Sequence, residues 1–113
     1  MDQIIETRTD HVRHLNDLLR RTGSGGRTVI TAGVASLADD LRMQALEAIA
    51  AFDGFTDRND PYGEHDCAIV VVGALQLLWK IDYFDLELQC ASPDPADPTV
   101  TCRVLTIMLA EEY

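Results

Sequence analysis

The sequence predicts an α+β fold: a single small domain in α-β-α-β-β-α order, with helices covering a small, mostly antiparallel sheet built around a β-hairpin. Three observations predict it. Residues 4–19 and 37–52 space their apolar side chains at three- and four-residue steps, the period of a helix with one buried stripe. Residues 68–83 are apolar and rich in β-branched side chains, interrupted at Gly73-Ala74, which is a hairpin pattern. A chain of 113 residues, 47% of them hydrophobic, has room for one core and not for two, so one domain is expected over residues 1–113.

The first helix is expected from about residue 3 to 21, with Ile4, Ile5, Val12, Leu15, Leu18 and Leu19 on its apolar stripe. Thr22-Gly23-Ser24-Gly25-Gly26 ends it and reads as a flexible connector, because glycine adopts the positive φ angles that stop a helix cheaply. Arg27 to Thr31 is a short β-branched strand. Ser36 followed by Asp39 resembles a capping box, so a second helix is expected from about 37 to 51, closed by Asp53-Gly54. Residues 55–66 are loop, since Thr56, Asp57, Asn59, Asp60, Pro61 and Gly63 all favour turns.

Both strands of the hairpin are nearly continuous in apolar residues, which predicts cover on both faces. Phe84 to Gln89 fits a third short strand or a turn of helix. Ser92 to Pro98 holds three prolines and is a rigid connection. Asp97 as N-cap with Pro98 at the first helical position predicts a last helix from Thr99 to about Glu111; its β-branched content leaves a strand as the alternative.

Charge is unevenly placed. The first 42 residues carry six basic and six acidic side chains, whereas residues 43–113 carry three basic and 13 acidic, 3 − 13 = −10, the whole net charge. Such a surface repels nucleic acid and anionic membrane and attracts a basic partner or a cation. The N-terminus lacks the basic lead and apolar run of a signal peptide, and no stretch reaches the roughly 20 apolar residues that cross a bilayer, so a cytoplasmic protein is expected. Cys67, Cys90 and Cys102 match neither a disulfide framework nor a zinc knuckle; they are expected reduced, with Cys67 and Cys102 in the core.

Asn59 to Asp66 is the densest run of functional side chains. Were Asp82 or Asp85 to fold back beside it, carboxylates and an imidazole would converge, and Asp60, Glu64, His65 and Asp82 become candidate metal ligands or a carboxylate-oriented general base. The bland alternative is a hydrogen-bonded turn in which Asn59, Asp60 and Asp66 cap backbone groups. In Trp79 to Asp85, alternation sends Lys80 and Asp82 to one face and Trp79, Ile81 and Tyr83 to the other, the first two as a pair and the aromatic set as core. The glycines at 23–26 follow a helix and precede a strand, the wrong order for a phosphate loop. His11 and His14 lack a further ligand in register, and Cys67 beside His65-Asp66 lacks an oxyanion loop.

The stretches TAGVASL (31–37), NDPYGEHD (59–66), WKIDYFD (79–85) and SPDPADPTVTCRVLTIMLAEEY (92–113) resemble a family of small bacterial proteins of unknown function, often encoded on plasmids and mobile elements. The resemblance runs from Leu15 onward. It implies no activity or ligand, and Cys67-Ala68 stands where that family tends to have Phe-Gly.

The charge and the resemblance together suggest a non-enzymatic binding protein that occupies a basic, nucleic-acid-binding surface of a partner protein or complex, as anti-CRISPR inhibitors and DNA mimics do. Asp57, Asp60, Glu64, Asp66, Asp82, Asp85 and Glu87 would meet that partner. No cofactor, nucleic acid or membrane is expected to bind directly, and a homodimer through apolar strand faces is compatible with this reading. The alternative is a small metal-binding protein or hydrolase using the acidic and histidine cluster.

Overall fold

A computed structural model describes residues 7–113. Helix α1 (Arg8–Thr22) opens with a reciprocal capping box: the Thr7 hydroxyl accepts from Asp10 N (3.0 Å) and the Asp10 carboxylate accepts from Thr7 N (3.2 Å). The expected start at residue 3, with Ile4 and Ile5, lies outside the described residues. Gly23, at φ 80°, ends α1 by donating its N–H to the Leu19 carbonyl at 2.8 Å. The glycine run does more than connect. A Cβ on Gly26 would lie 2.4 Å from the Arg103 carbonyl oxygen, so this position brings the start of strand β1 (Arg27–Ile30) close against the backbone of the strand beside it.

The expected capping box at Ser36 is not formed. The Ser36 hydroxyl instead donates back to the Ala32 carbonyl at 2.8 Å, closing a one-turn helix α2 (Ala32–Ala35). Helix α3 (Asp39–Ala51) then starts at Ala38 with no side-chain cap, and Asp39 pairs with Arg42 at 2.6 Å.

Strands β2 (Cys67–Val72) and β3 (Leu75–Phe84) form the expected hairpin, turning at Gly73 with φ 62°. Residues beyond Phe84 form a turn in which Asp85 accepts from Gln89 N at 3.0 Å. The expected last helix is instead strand β4 (Cys102–Leu109), followed by a 3-10 turn at Ala110–Glu112. Asp97 does not start a helix because its carboxylate closes a tight local turn on the Thr99 N–H and hydroxyl. Arg103, Leu105 and Ile107 then alternate inward, and the β-branched Val104, Thr106 and Ile107 suit that extended backbone.

The sheet order is β1-β4-β3-β2, with β1 parallel to β4 and the other two pairs antiparallel. The domain is therefore α+β, with three helices on a mixed four-stranded sheet. The helices supply one core, on one face: Leu19 of α1, Val34 of α2 and Ala45 and Ile49 of α3 pack with Leu77, Trp79, Leu105 and Ile107. Trp79, fully buried, is met edge-on by Phe52 and Phe55.

Two-sided cover, expected from the apolar hairpin, is not what forms. Ile69 and Val71, on the opposite face of β2, are 58% and 59% exposed. Cys67 and Cys102 pair with Lys80 and Phe84 on that same face and are only half-buried, not core; all three cysteines are free. Among the described residues no helix is long and apolar enough to cross a membrane.

Gly26→Ala is expected to destabilise the fold by about 1–3 kcal/mol, because the added methyl meets a backbone oxygen that cannot rotate aside; urea unfolding measures it.

Candidate functional site

The helical side of the sheet carries two polar clusters, both anchored on α1. Asn16 and Arg103 are 0% and 1% exposed. The Asn16 amide oxygen accepts from Arg103 Nε at 2.7 Å, and its NH2 donates to the Tyr83 hydroxyl (2.7 Å) and the Glu64 carbonyl (3.0 Å). Tyr83 in turn donates to Glu64 Oε1 at 2.8 Å. The Arg103 guanidinium lies 5.1 Å from the centre of the Tyr83 ring and also donates to the Pro95 carbonyl. Both donors and the acceptor oxygen of the Asn16 amide are thus engaged, which is what a fully buried amide needs. Burial pushes the Tyr83 phenol far above its ordinary range, reinforced by Glu64, so it stays protonated and donates. Burial also lowers Arg103, opposed by Tyr83 and Glu64.

The second cluster starts one turn further along α1. Arg20 donates through one nitrogen to the carbonyls of Ile49 (2.9 Å), Ala50 (3.1 Å) and Phe52 (2.8 Å), the C-terminal end of α3, where a positive charge is favoured. Its other terminal nitrogen meets Asp17 at 3.0 Å, and its plane lies over Phe55 and Trp79. The same Asp17 oxygen is 2.9 Å from His65 Nδ1. His65 Nε2 faces Asp60 at 3.6 Å, too long for a hydrogen bond but close for two charges. The imidazole stacks on Phe55, with centroids 3.7 Å apart and planes within 5°. His65 holds φ 54°, unusual for a non-glycine residue, and Asp60 Oδ1 accepts its backbone N–H at 3.1 Å.

Chemically, this arrangement tethers and orients. A general base needs a ring nitrogen that a substrate can reach, and both nitrogens of His65 face carboxylates of the protein itself. Of the candidate metal ligands, Asp60 and His65 adjoin. The Glu64 carboxylate turns to Tyr83, and Asp82 lies on the opposite sheet face, paired with Lys80 at 2.5 Å as the strand alternation predicts. Among the described residues no group of three or more His, Cys, Asp or Glu is arranged to hold a metal ion.

The residues expected to meet a partner divide. Asp57 and Glu87 are exposed, Asp82 and Asp85 half-buried. Asp60 is 8% exposed and bound to His65, so it cannot form part of an outer surface; turn chemistry explains it, as Asn59 likewise accepts from Thr56 N at 2.7 Å. Asp66 senses the crowding of acids: burial chiefly, then Glu64, Asp60 and Asp82, hold its carboxyl above the ordinary value of 3.8. Asn16, Asp17, Arg20 and Arg103 have no place among the sequence candidates. The signal for the first and third was their position: 12, 16, 19 and 20 are the buried stripe of α1, and two of the four are polar.

A family model described as "Protein of unknown function (DUF3768)" matches residues 30–112, and the chain belongs to that family. No curated protein and no solved structure matches. The match begins after α1, so Asn16, Asp17 and Arg20 lie outside it, while Glu64, His65, Tyr83 and Arg103 lie within.

Asn16→Ala is expected to cost about 3 kcal/mol in denaturant unfolding, since it strands the buried Arg103 Nε, whereas Tyr83→Phe costs about 1 kcal/mol. Asp66→Asn should raise the melting temperature at neutral pH. Because folding raises the Asp66 pKa, its contribution favours the fold below the unfolded value and is lost as pH rises through the folded one; the gain from Asn therefore vanishes below about pH 3.8, which thermal melts across pH measure.

Proposed function

We propose that this protein is a non-enzymatic, acidic binding or regulatory protein that occupies the basic, nucleic-acid-binding surface of a partner protein or complex, in the manner of an anti-CRISPR inhibitor or DNA mimic carried on a mobile element. The observation that carries the reading is the gathering of acids at one end of the sheet. Asp66, at the start of β2, is held above the ordinary carboxylate range chiefly by burial, and the neighbouring acids Glu64, Asp60 and Asp82 add to that shift. Asp85 and Glu87 follow directly at the end of β3, and Asp57 stands exposed on the preceding loop.

A cleft lined by one sign of charge attracts the opposite sign and speeds its arrival, and here the net charge of −10 adds to the local field. The same field disfavours direct contact with nucleic acid or an anionic membrane. Binding is favoured over chemistry because the side chains that do converge are engaged with one another: Asp17 holds His65 Nδ1, and His65 Nε2 points at Asp60.

Pull-down from bacterial lysate at low and high salt, with mass spectrometry of what is retained, tests this. A basic nucleic-acid-binding protein should be held at low salt and released at high salt, and Asp57→Asn with Glu87→Gln should weaken its retention several-fold. Retention that ignores both salt and the substitutions, or no retention at either salt, would overturn the reading.

A further inference from the structure

The acidic end does not account for the other face of the sheet, turned away from the helices. β2, β3 and β4 send there Ile69 and Val71, 58% and 59% exposed, together with the half-buried Leu78 and Val104. Between this face and the terminal 3-10 turn runs an apolar cleft of about 330 Å3, walled by Ile69, Leu78, Ala110 and Tyr113. Exposed apolar area of this kind marks a surface that is covered in the working molecule. β2 is also an edge strand, and its sequence, CAIVVV, contains none of the lysine or proline that usually blunts such an edge.

The charges on the face identify what covers it. β2, β3 and β4 place one opposite pair of charges there, Lys80 and Asp82, and the edge strand β1 adds Arg27 level with Val104, so the face carries none of the acidic excess of a protein of net charge −10. A basic partner gains nothing electrostatically at such a face, and a second copy of this acidic chain is not repelled there. Lys80 and Asp82 are also self-complementary. They lie two residues apart on one strand, about 6.6 Å, and point the same way. A two-fold axis passing between them sets Lys80 of each copy against Asp82 of the other, joining two internal pairs into a four-charge cluster that fixes the register of an isologous contact.

We infer that this face is a homodimer interface in which Leu78 and Ile69 of each copy pack on the Phe84 end of the other's sheet, pinned at the centre by reciprocal Lys80–Asp82 pairing. Aligned sheet packing of this kind sets faces about 10 Å apart with strands within about 30° of each other. Three strands spaced about 4.8 Å, overlapping the other copy over residues 78–84 of β3 at about 3.3 Å each, present a footprint of about 14 by 23 Å. That is below the roughly 800 Å2 per partner of a standard interface, so the dimer is one in exchange with monomer at low concentration. The inference shares Asp82 with the acidic end but does not rest on the proposed function, whose exposed acids Asp57 and Glu87 lie outside this face.

Sedimentation equilibrium over a range of concentrations tests it. The unaltered protein should move from monomer to dimer as concentration rises. Lys80→Asp and Asp82→Lys, each alone, place like charges opposite one another and should weaken dimerisation by about tenfold or more. Mixed in equal amounts, the two variants should restore it by pairing with each other. Ile69→Asp should abolish dimerisation while leaving Trp79 fluorescence, which reports the opposite face, unchanged. A protein that stays monomeric at every concentration, or a dimer indifferent to all three substitutions, would overturn the inference.

Discussion

The fold depends on how one buried arginine is accommodated. Arg103 is the inward residue at the start of β4, a central strand, in a position its alternation would give to an aliphatic side chain. A buried guanidinium must be hydrogen-bonded, and among the described residues this one has no carboxylate at ion-pair distance. Its charge is met by neutral groups: the Asn16 amide, the Pro95 carbonyl and the face of Tyr83. Glu64 is reached through Asn16 and Tyr83. These partners come from α1, the proline-rich connection, β3 and the loop before β2. One side chain therefore sets the relation among segments that share few other contacts, and it does so with directional bonds that aliphatic packing lacks.

Arg20 does comparable work for α3. It binds three carbonyls at the end of that helix, and through Asp17 it also holds His65 and so the 53–66 loop. The left-handed backbone at His65 persists because three contacts over-determine it: Asp60 on its N–H, Asp17 on its ring, and Phe55 stacked against that ring. Local strain at a loop is ordinarily read as a sign of catalysis. Here the strained residue is the one through which the loop is fastened to the helix, so a structural account is sufficient.

What was legible in the sequence follows from which forces act locally. The hairpin, β1 and the body of α1 were readable because their patterns are set by side-chain period and turn residues alone. β4 was misread because its outward face is apolar too: Val104 and Met108, with Ile107, imitate a helical stripe, while the diagnostic set Arg103, Leu105, Ile107 begins with a charge. Ser36 misled for a related reason, its hydroxyl being able to cap forward or bond backward, and α2 decides in favour of the latter. The polar hub was invisible because its members are 87 residues apart in the chain, Asn16 to Arg103, and no local pattern links them. Asp60, Glu64 and His65 were recognised as a cluster, but their partners Asp17 and Tyr83 come from elsewhere, and those partners change what the cluster is able to do.

The arrangement of charge has a consequence for how the molecule can meet others. Burying Arg20 and Arg103 among the helices withdraws two of the nine basic side chains from the surface, so the outer field is set by acids to a greater degree than composition alone implies. Those acids are concentrated where β2 starts and β3 ends, while the sheet face away from the helices is largely apolar and carries none of the acidic excess. The proposed basic partner and the proposed second copy would use different surfaces, the first the acidic end, where long-range attraction dominates, and the second the sheet face, where contact area dominates. The two are compatible. A two-fold axis between Lys80 and Asp82 would set the acidic ends of the two copies at opposite rims of the contact, so the proposed dimer would present its negative field twice and bind a repetitive basic surface more tightly than either copy alone.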